Sequence, residues 1–229
     1  MPLPLWSQAR LPPLADYAAE YFLAAEWAFV MAATARLIPS DGDGPGALET
    51  RVPVFIDRQL AGGFGQASDW CMQGPHDAGA HRDFGYQSPL TPAEIYRASI
   101  PLFEAWCAAR HGAGFADLTP DLQDAALQAL EEDAGRRGES PGPAAGEDSP
   151  AFGSDGARIM PDELTEFFAL MLQNTKEGYF ADPRHGGNHG MAAWVHIGFP
   201  GARASFLEWI GKDNVPYRLG PVSIDGERA

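Results

Sequence analysis

The spacing of apolar residues predicts that helices form most of this chain. In the first segment the residues at helical spacing are Trp27, Val30, Met31, Thr34 and Leu37. Pro39 and the glycine-rich run after it end this segment, because proline cannot continue a helix. A second, shorter helix is predicted over residues 52–60, with Pro53 tolerated in its first turn and Gly62-Gly63 at its end.

Three further helix starts are marked by capping residues. Thr91 and Glu94 form a capping box, and the expected apolar face follows as Ile95, Ala98, Leu102 and Trp106. Thr119-Pro120-Asp121 begins another helix with an acidic first turn. Pro161-Asp162 opens the last helix, which we expect to end before Gly178.

The remaining segments favour loops rather than strands. We find no alternating run of apolar and polar residues, so the sequence predicts an all-α fold: one helical domain over residues 1–229, with long irregular loops and an extended C-terminal tail. Residues 138–158, rich in Gly, Pro, Ser and acids, are expected to form a mobile loop. Residues 202–229 carry Phe206, Trp209, Ile210 and Tyr217 and are expected to dock on this protein or on another.

Charge and cysteine content narrow the class of protein. The net charge of −15, from 31 acidic and 16 basic side chains, disfavours nucleic acid as a partner. No apolar run is long enough to span a membrane, and the first 16 residues, with four prolines, do not match a secretory signal peptide. Cys71 and Cys107 are consistent either with one disulfide or with two free, packed thiols.

Residues 177–201, EGYFADPRHGGNHGMAAWVHIGFPG, show neither a helical nor a strand period and are predicted to form an irregular functional loop. His185, His189, His196 and Asp182 raise the hypothesis of a metal-dependent enzyme, because imidazole and carboxylate groups bind zinc or iron. The histidines do not follow a metalloenzyme pattern such as H-E-x-x-H. Surface or hydrogen-bonded histidines are therefore the preferred interpretation.

Several ordered blocks of this sequence resemble the gluconate 2-dehydrogenase small (gamma) subunit family over about residues 20–225. The blocks are AEWAFVMAATARLIPSDGDGPGALE, VPVFIDRQLAGGFG, MQGP, GYQSPLTPAEIYRASI, EGYFADPRHGGN, MAAW and IGFPGAR. The resemblance implies a non-catalytic subunit that supports folding, stability and export of a large flavin-dependent (GMC-type) sugar or sugar-acid dehydrogenase subunit. It implies no cofactor in this chain, FAD in the large subunit, and haem c in a multi-haem cytochrome c subunit.

The sequence departs from the family pattern at Cys71, His185, His189-Gly190 and Val195, so the substrate and the partner are left open. The resemblance implies a periplasmic location in a membrane-associated complex, whereas the missing leader keeps a cytoplasmic location open. The alternative is a cytoplasmic chaperone that releases its client before export. The residues expected to bind a partner, mostly aromatic anchors and turn residues, are Tyr179, Phe180, Asp182, Gly186, Gly187, Asn188, Trp194, Phe199, Pro200 and Trp209.

Overall fold

A computed structural model describes residues 13–77, 84, 88–135, 158–215 and 217–229. These residues form the α-helices α1 (Ala24–Leu37), α2 (Val52–Ala61), α3 (Pro92–His111), α4 (Pro120–Gly135), α5 (Phe167–Phe180) and α6 (Ala192–Ile197). The predicted mobile loop lies outside the described residues, except for Arg158. Over the described ranges the β-structure is limited to two isolated bridges near the C-terminus, and the all-α prediction is confirmed.

Helix α5 is the centre of the fold and contacts α1, α2, α3, α4 and α6. Its first residue, Phe167, is fully buried between Phe29 of α1 and Tyr96 of α3. The Phe29 and Phe167 rings stack with centroids 6.1 Å apart, and the Tyr96 ring meets Phe167 edge-on at 5.3 Å. Aromatic packing of this kind joins helices from distant parts of the chain into one core.

The capping box at the start of α3 is confirmed. The Thr91 hydroxyl accepts a hydrogen bond from the Glu94 amide at 3.3 Å, and the Glu94 carboxylate accepts one from the Thr91 amide at 2.8 Å. The predicted apolar face is wrong at Ala98 and Leu102, which are exposed, whereas Ile95 is buried and Trp106 is half-buried against the core. The helix instead buries a face rotated by about one residue, made of Ile95, Ser99, Phe103 and Cys107.

Helix α5 continues past the point where the sequence predicted its end. Gly178 lies inside the helix and is buried, with the Phe55 ring of α2 packed against it. A Cβ at residue 178 would lie 2.8 Å from Phe55 Cδ1, so glycine is needed here for close packing of the two helices. The predicted irregular loop over residues 177–201 is therefore wrong in part, since it contains the end of α5 and the whole of α6.

Two buried aspartates hold non-helical segments against the helices. Asp57 of α2 is fully buried and accepts hydrogen bonds from the Tyr17 hydroxyl (2.9 Å) and from the amides of Glu20, Tyr21 and Phe22 (2.8–3.0 Å). Asp133 of α4 accepts from the amides of residues 159 and 160 at 3.1 and 3.0 Å. Buried carboxylates with this many donors fix the course of segments that have no regular structure.

No helix in the described ranges is both long enough and apolar enough to cross a membrane.

Candidate partner-binding surface

Asn188 organises the segment between α5 and α6. Its backbone is left-handed (φ 42°), a conformation that asparagine tolerates better than most residues, and its side chain is fully buried. The side-chain amide donates to the carbonyl of Ala181 at 3.0 Å, while its oxygen accepts from the amide of Ala193 at 2.9 Å. One side chain therefore joins the end of α5 to the first turn of α6.

The two glycines before Asn188 allow the chain to pass close to the helices. A Cβ on Gly187 would lie 2.1 Å from the carbonyl oxygen of Gly178, a distance that backbone atoms cannot tolerate. Gly186 has φ +98°, in the region that favours glycine, and a Cβ there would lie 3.1–3.2 Å from side-chain atoms of Arg58 and Val54 of α2. Close backbone approach explains Gly187, and the positive φ explains Gly186.

The aromatic residues of this segment divide into a buried pair and an exposed pair. Tyr179 and Trp194 are buried; the Tyr179 hydroxyl donates to the carbonyl of Pro45 at 2.8 Å, and the Trp194 indole donates to the carbonyl of Phe180 at 2.8 Å. Burial, with a smaller contribution from the acidic residues nearby, raises the pKa of Tyr179. Phe180 and Phe199 are 46% and 43% exposed. The buried pair supports the structure, and only the exposed pair is available to a partner.

Two further apolar side chains on α6 were not among the predicted binding residues. Val195 and Ile197 are each 55% exposed. Both residues lie on α6, and this short helix was not predicted because no capping side chain marks its start. We refer to Phe180, Val195, Ile197 and Phe199 as the α6 surface. Phe180 ends α5, Val195 and Ile197 lie on α6, and Phe199 follows it. Groups of exposed apolar side chains are typical of protein interfaces.

The α6 surface has a rigid base. The Phe199 ring packs edge-on against Trp194 with centroids 5.1 Å apart, and the Phe180 ring packs similarly against Tyr179 at 4.9 Å. Each exposed ring therefore stands on a buried, hydrogen-bonded ring. Side chains held in this way lose little conformational entropy when they bind a partner.

Asp182 and Pro200, two predicted binding residues, contact the tail of this same chain. The Asp182 carboxylate accepts from the Arg184 amide at 3.2 Å and from the Ile224 amide at 2.7 Å. The carbonyl of Pro200 accepts from the Val222 amide at 3.2 Å. The end of the tail is thus anchored on the body of the chain, while Trp209, the last predicted binding residue, is half-buried.

The histidines of the segment are dispersed around it. Across the described residues, which include His185, His189, His196 and Asp182, no three potential ligands form a group able to hold a metal ion. The His196 imidazole faces Gly44 in the loop after α1, where a Cβ would lie 2.7 Å from Nε2. The geometry offers nothing in favour of the metal-enzyme hypothesis.

Both cysteines are free thiols in the structure. Cys71 is exposed, whereas Cys107 is fully buried in α3, as expected for a packed core thiol. Burial, with a smaller effect of the Glu104 carboxylate, raises the pKa of Cys107 to about 12. The thiolate is the reactive species, so Cys107 is protected by both its position and its protonation.

Alkylation at pH 8 is expected to label one thiol per native chain, at Cys71, because only that thiol is accessible. Mass spectrometry after a short reaction with iodoacetamide, with and without denaturant, measures this count. The variant C71S should show no label in the native state and one label when unfolded. Rapid native labelling of Cys107 would contradict the burial of α3.

Most of the chain matches a known protein family. A family model described as gluconate 2-dehydrogenase subunit 3 matches residues 24–201. Neither the curated proteins nor the solved structures contain a match to this chain. The matched part includes all six described helices and the α6 surface, and it stops where the tail begins.

Proposed function

The chain belongs to the gluconate 2-dehydrogenase subunit 3 family, and we propose that it is a non-catalytic small subunit that binds the large, flavin-dependent subunit of a sugar or sugar-acid dehydrogenase complex. The family is one of accessory subunits of a dehydrogenase complex, so partner subunits are implied. The observation that carries the proposal is the α6 surface, in which exposed apolar side chains stand on a buried and hydrogen-bonded base within the matched segment.

The arrangement around Trp194 supports binding by a preformed surface. The hydrogen bonds of the Asn188 and Trp194 side chains, together with the close backbone approach of Gly187, fix α6 against α5. The apolar groups that remain exposed are two aromatic rings and two β-branched side chains. Aromatic anchors on a rigid support contribute strongly to protein interfaces, because burial of their area is not offset by a large loss of side-chain entropy.

In the proposed complex this chain supports the folding, stability and export of the large subunit. FAD lies in the large subunit, and haem c lies in a cytochrome subunit that accepts the electrons. Oxidation of the sugar takes place on the large subunit, and the small subunit covers apolar surface that the large subunit would otherwise expose. The complex is proposed to act in the periplasm, at the membrane.

Replacing both Phe180 and Phe199 with aspartate is expected to weaken binding to the large subunit at least 100-fold. Two buried aromatic contacts would be lost and two charges would be placed in an apolar interface, each costing about 1–2 kcal/mol or more. The measurement is the dissociation constant from co-expressed, affinity-purified subunits. The matched control is Leu102→Asp with Leu122→Asp, which introduces the same two charges at exposed apolar positions of α3 and α4.

Equal binding by the test and control variants would contradict the α6 surface as the interface. If the wild-type chain does not bind the large subunit, and that subunit is exported and active without it, the proposed function itself fails. The second candidate, a chaperone that releases its client, predicts binding to the newly made large subunit but absence from the mature enzyme. Subunit analysis of the purified, active enzyme separates these two functions.

A further inference from the structure

The tail that follows the matched segment forms a loop with a closed base. A bridge pairs Gly201 with Val222, and the amide of Ala202 donates to the carbonyl of Val222 at 2.7 Å. At the next position the Arg203 guanidinium donates to the carbonyl of Gly220 at 3.2 Å. Gly201 is needed at this junction, since it has φ +74° and a Cβ would lie 2.2 Å from the Val222 carbonyl oxygen. The loop is therefore held at both of its ends.

A small cluster of partly exposed aromatic rings forms within the loop. The Trp209 ring lies 5.0 Å from the Tyr217 ring, and the Phe206 ring lies 6.4 Å from it. The Arg203 guanidinium lies 4.8 Å above Tyr217 and the Lys212 ammonium 4.9 Å from Trp209. Compact loops with joined ends and their own internal packing are frequently functional, because they present a fixed surface.

The outside of the loop carries aliphatic side chains that contact little of this chain. Leu207 and Ile210 are 74% and 75% exposed, and Val215 and Leu219 are at least half exposed. Isolated apolar residues on a surface need no explanation, whereas several on one closed loop indicate a binding surface. We call the described residues 203–215 and 217–219 the tail loop.

The distribution of charge restricts what covers the tail loop. Residues 202–229 contain four basic and four acidic side chains, so residues 1–201 carry the whole net charge of −15. A second copy of the chain would bring two strongly acidic bodies together, and an anionic membrane would repel the same body. The tail loop itself carries three basic and two acidic side chains, so a different protein whose facing surface is apolar or acidic can meet this loop without either penalty.

We infer that the tail loop is a second docking site for the large subunit, with Leu207 and Ile210 as its anchors. The inference rests on the proposed function and adds a contact outside the segment that matches the family. The loop starts four residues after Phe199, and the hydrogen bonds at Pro200 and Asp182 fix its base beside the α6 surface. One large partner can therefore cover both surfaces at once, and the combined contact binds more tightly than either alone.

The test is the double variant Leu207→Asp with Ile210→Asp in the full-length chain, measured for binding to the large subunit. We expect a dissociation constant at least tenfold higher than that of the wild type, because both anchors would carry a charge into an apolar contact. The milder pair Leu207→Ser with Ile210→Ser should weaken binding in the same direction. The control pair Leu102→Asp with Leu122→Asp should bind like the wild type, and thermal unfolding should show that all variants are folded.

Four outcomes are decisive. Weaker binding by both tail pairs, with the control unchanged, supports the inference. Unchanged binding by the tail pairs, while Phe180→Asp with Phe199→Asp still disrupts the complex, overturns the inference and leaves the proposed function intact. Dimers of the free wild-type chain that dissociate in the tail variants would assign the loop to self-association instead. Tail-dependent binding to phosphatidylglycerol vesicles would assign it to a membrane, and both last results overturn the inference.

Discussion

Replacing Asp57 with alanine is expected to lower the free energy of unfolding by about 3–5 kcal/mol. Asp57 is fully buried, and its two oxygens accept one hydroxyl and three amide donors from residues 17–22. Without the carboxylate, the Phe22 amide is left buried with no acceptor, and the three part-buried donors lose theirs as well; each fully buried unpaired group costs about 1–3 kcal/mol. The segment before α1 would detach and uncover Phe22, which packs in the core.

Equilibrium unfolding in urea, followed by circular dichroism, measures the effect. Asp57→Asn should cost less than the alanine variant, since its oxygen still accepts while its amide group cannot. The matched control is Asp124→Ala, which removes an exposed aspartate that pairs with Arg36 at 2.6 Å. An exposed pair of this kind contributes about 1 kcal/mol or less. Equal losses at positions 57 and 124 would contradict the proposed anchoring of the N-terminal segment.

Replacing Gly187 with alanine is expected to destabilise the protein by more than about 3 kcal/mol and to displace α6. The new Cβ would lie 2.1 Å from the carbonyl oxygen of Gly178, inside the central helix. Neither backbone can yield without loss of the contacts that Asn188 makes with Ala181 and Ala193. The same substitution should therefore weaken binding to the large subunit, although residue 187 does not reach the exposed surface.

Gly135→Ala serves as the control for this prediction. Among the described residues, and apart from its chain neighbours and its own helix backbone, no atom lies within 4 Å of the position of a Cβ at residue 135. This residue ends α4 and is not among the residues with a positive φ. Alanine there should change the free energy of unfolding by less than about 1 kcal/mol. Comparable unfolding curves for the two alanine variants would show that the segment after α5 is not closely packed against the helix.

Local sequence signals were sufficient to predict the fold class and most helix starts. The capping box of α3 is an interaction between neighbours in the sequence, so it could be read directly. The buried face of the same helix could not be predicted from neighbouring residues, because apolar residues occur on several sides of α3. Only packing against other helices buries Phe103 and leaves Leu102 exposed. The choice between faces depends on contacts far away in the sequence.

The end of α5 shows the same limit at the candidate site. Glycine is a common signal for the end of a helix, and on that signal the sequence predicts that α5 ends before Gly178. Its physical reason is the Phe55 ring, which lies 123 positions earlier in the chain. Because the sequence predicts an irregular loop after residue 177, it misses α6 and the exposure of Val195 and Ile197 on that helix. The partner-binding role of Phe180 and Phe199 is predicted from their aromatic type and from the segment in which they lie, and that role stays a prediction.

The central position of α5 has a consequence for synthesis. Helices α1 to α4 leave the ribosome before α5. Phe29 and Tyr96 therefore cannot complete their packing until Phe167 has been synthesised. Until about residue 180 has emerged, the growing chain exposes apolar faces that only later residues cover. A chain built in this order completes its core and the base of the α6 surface together, only after α5 has been made.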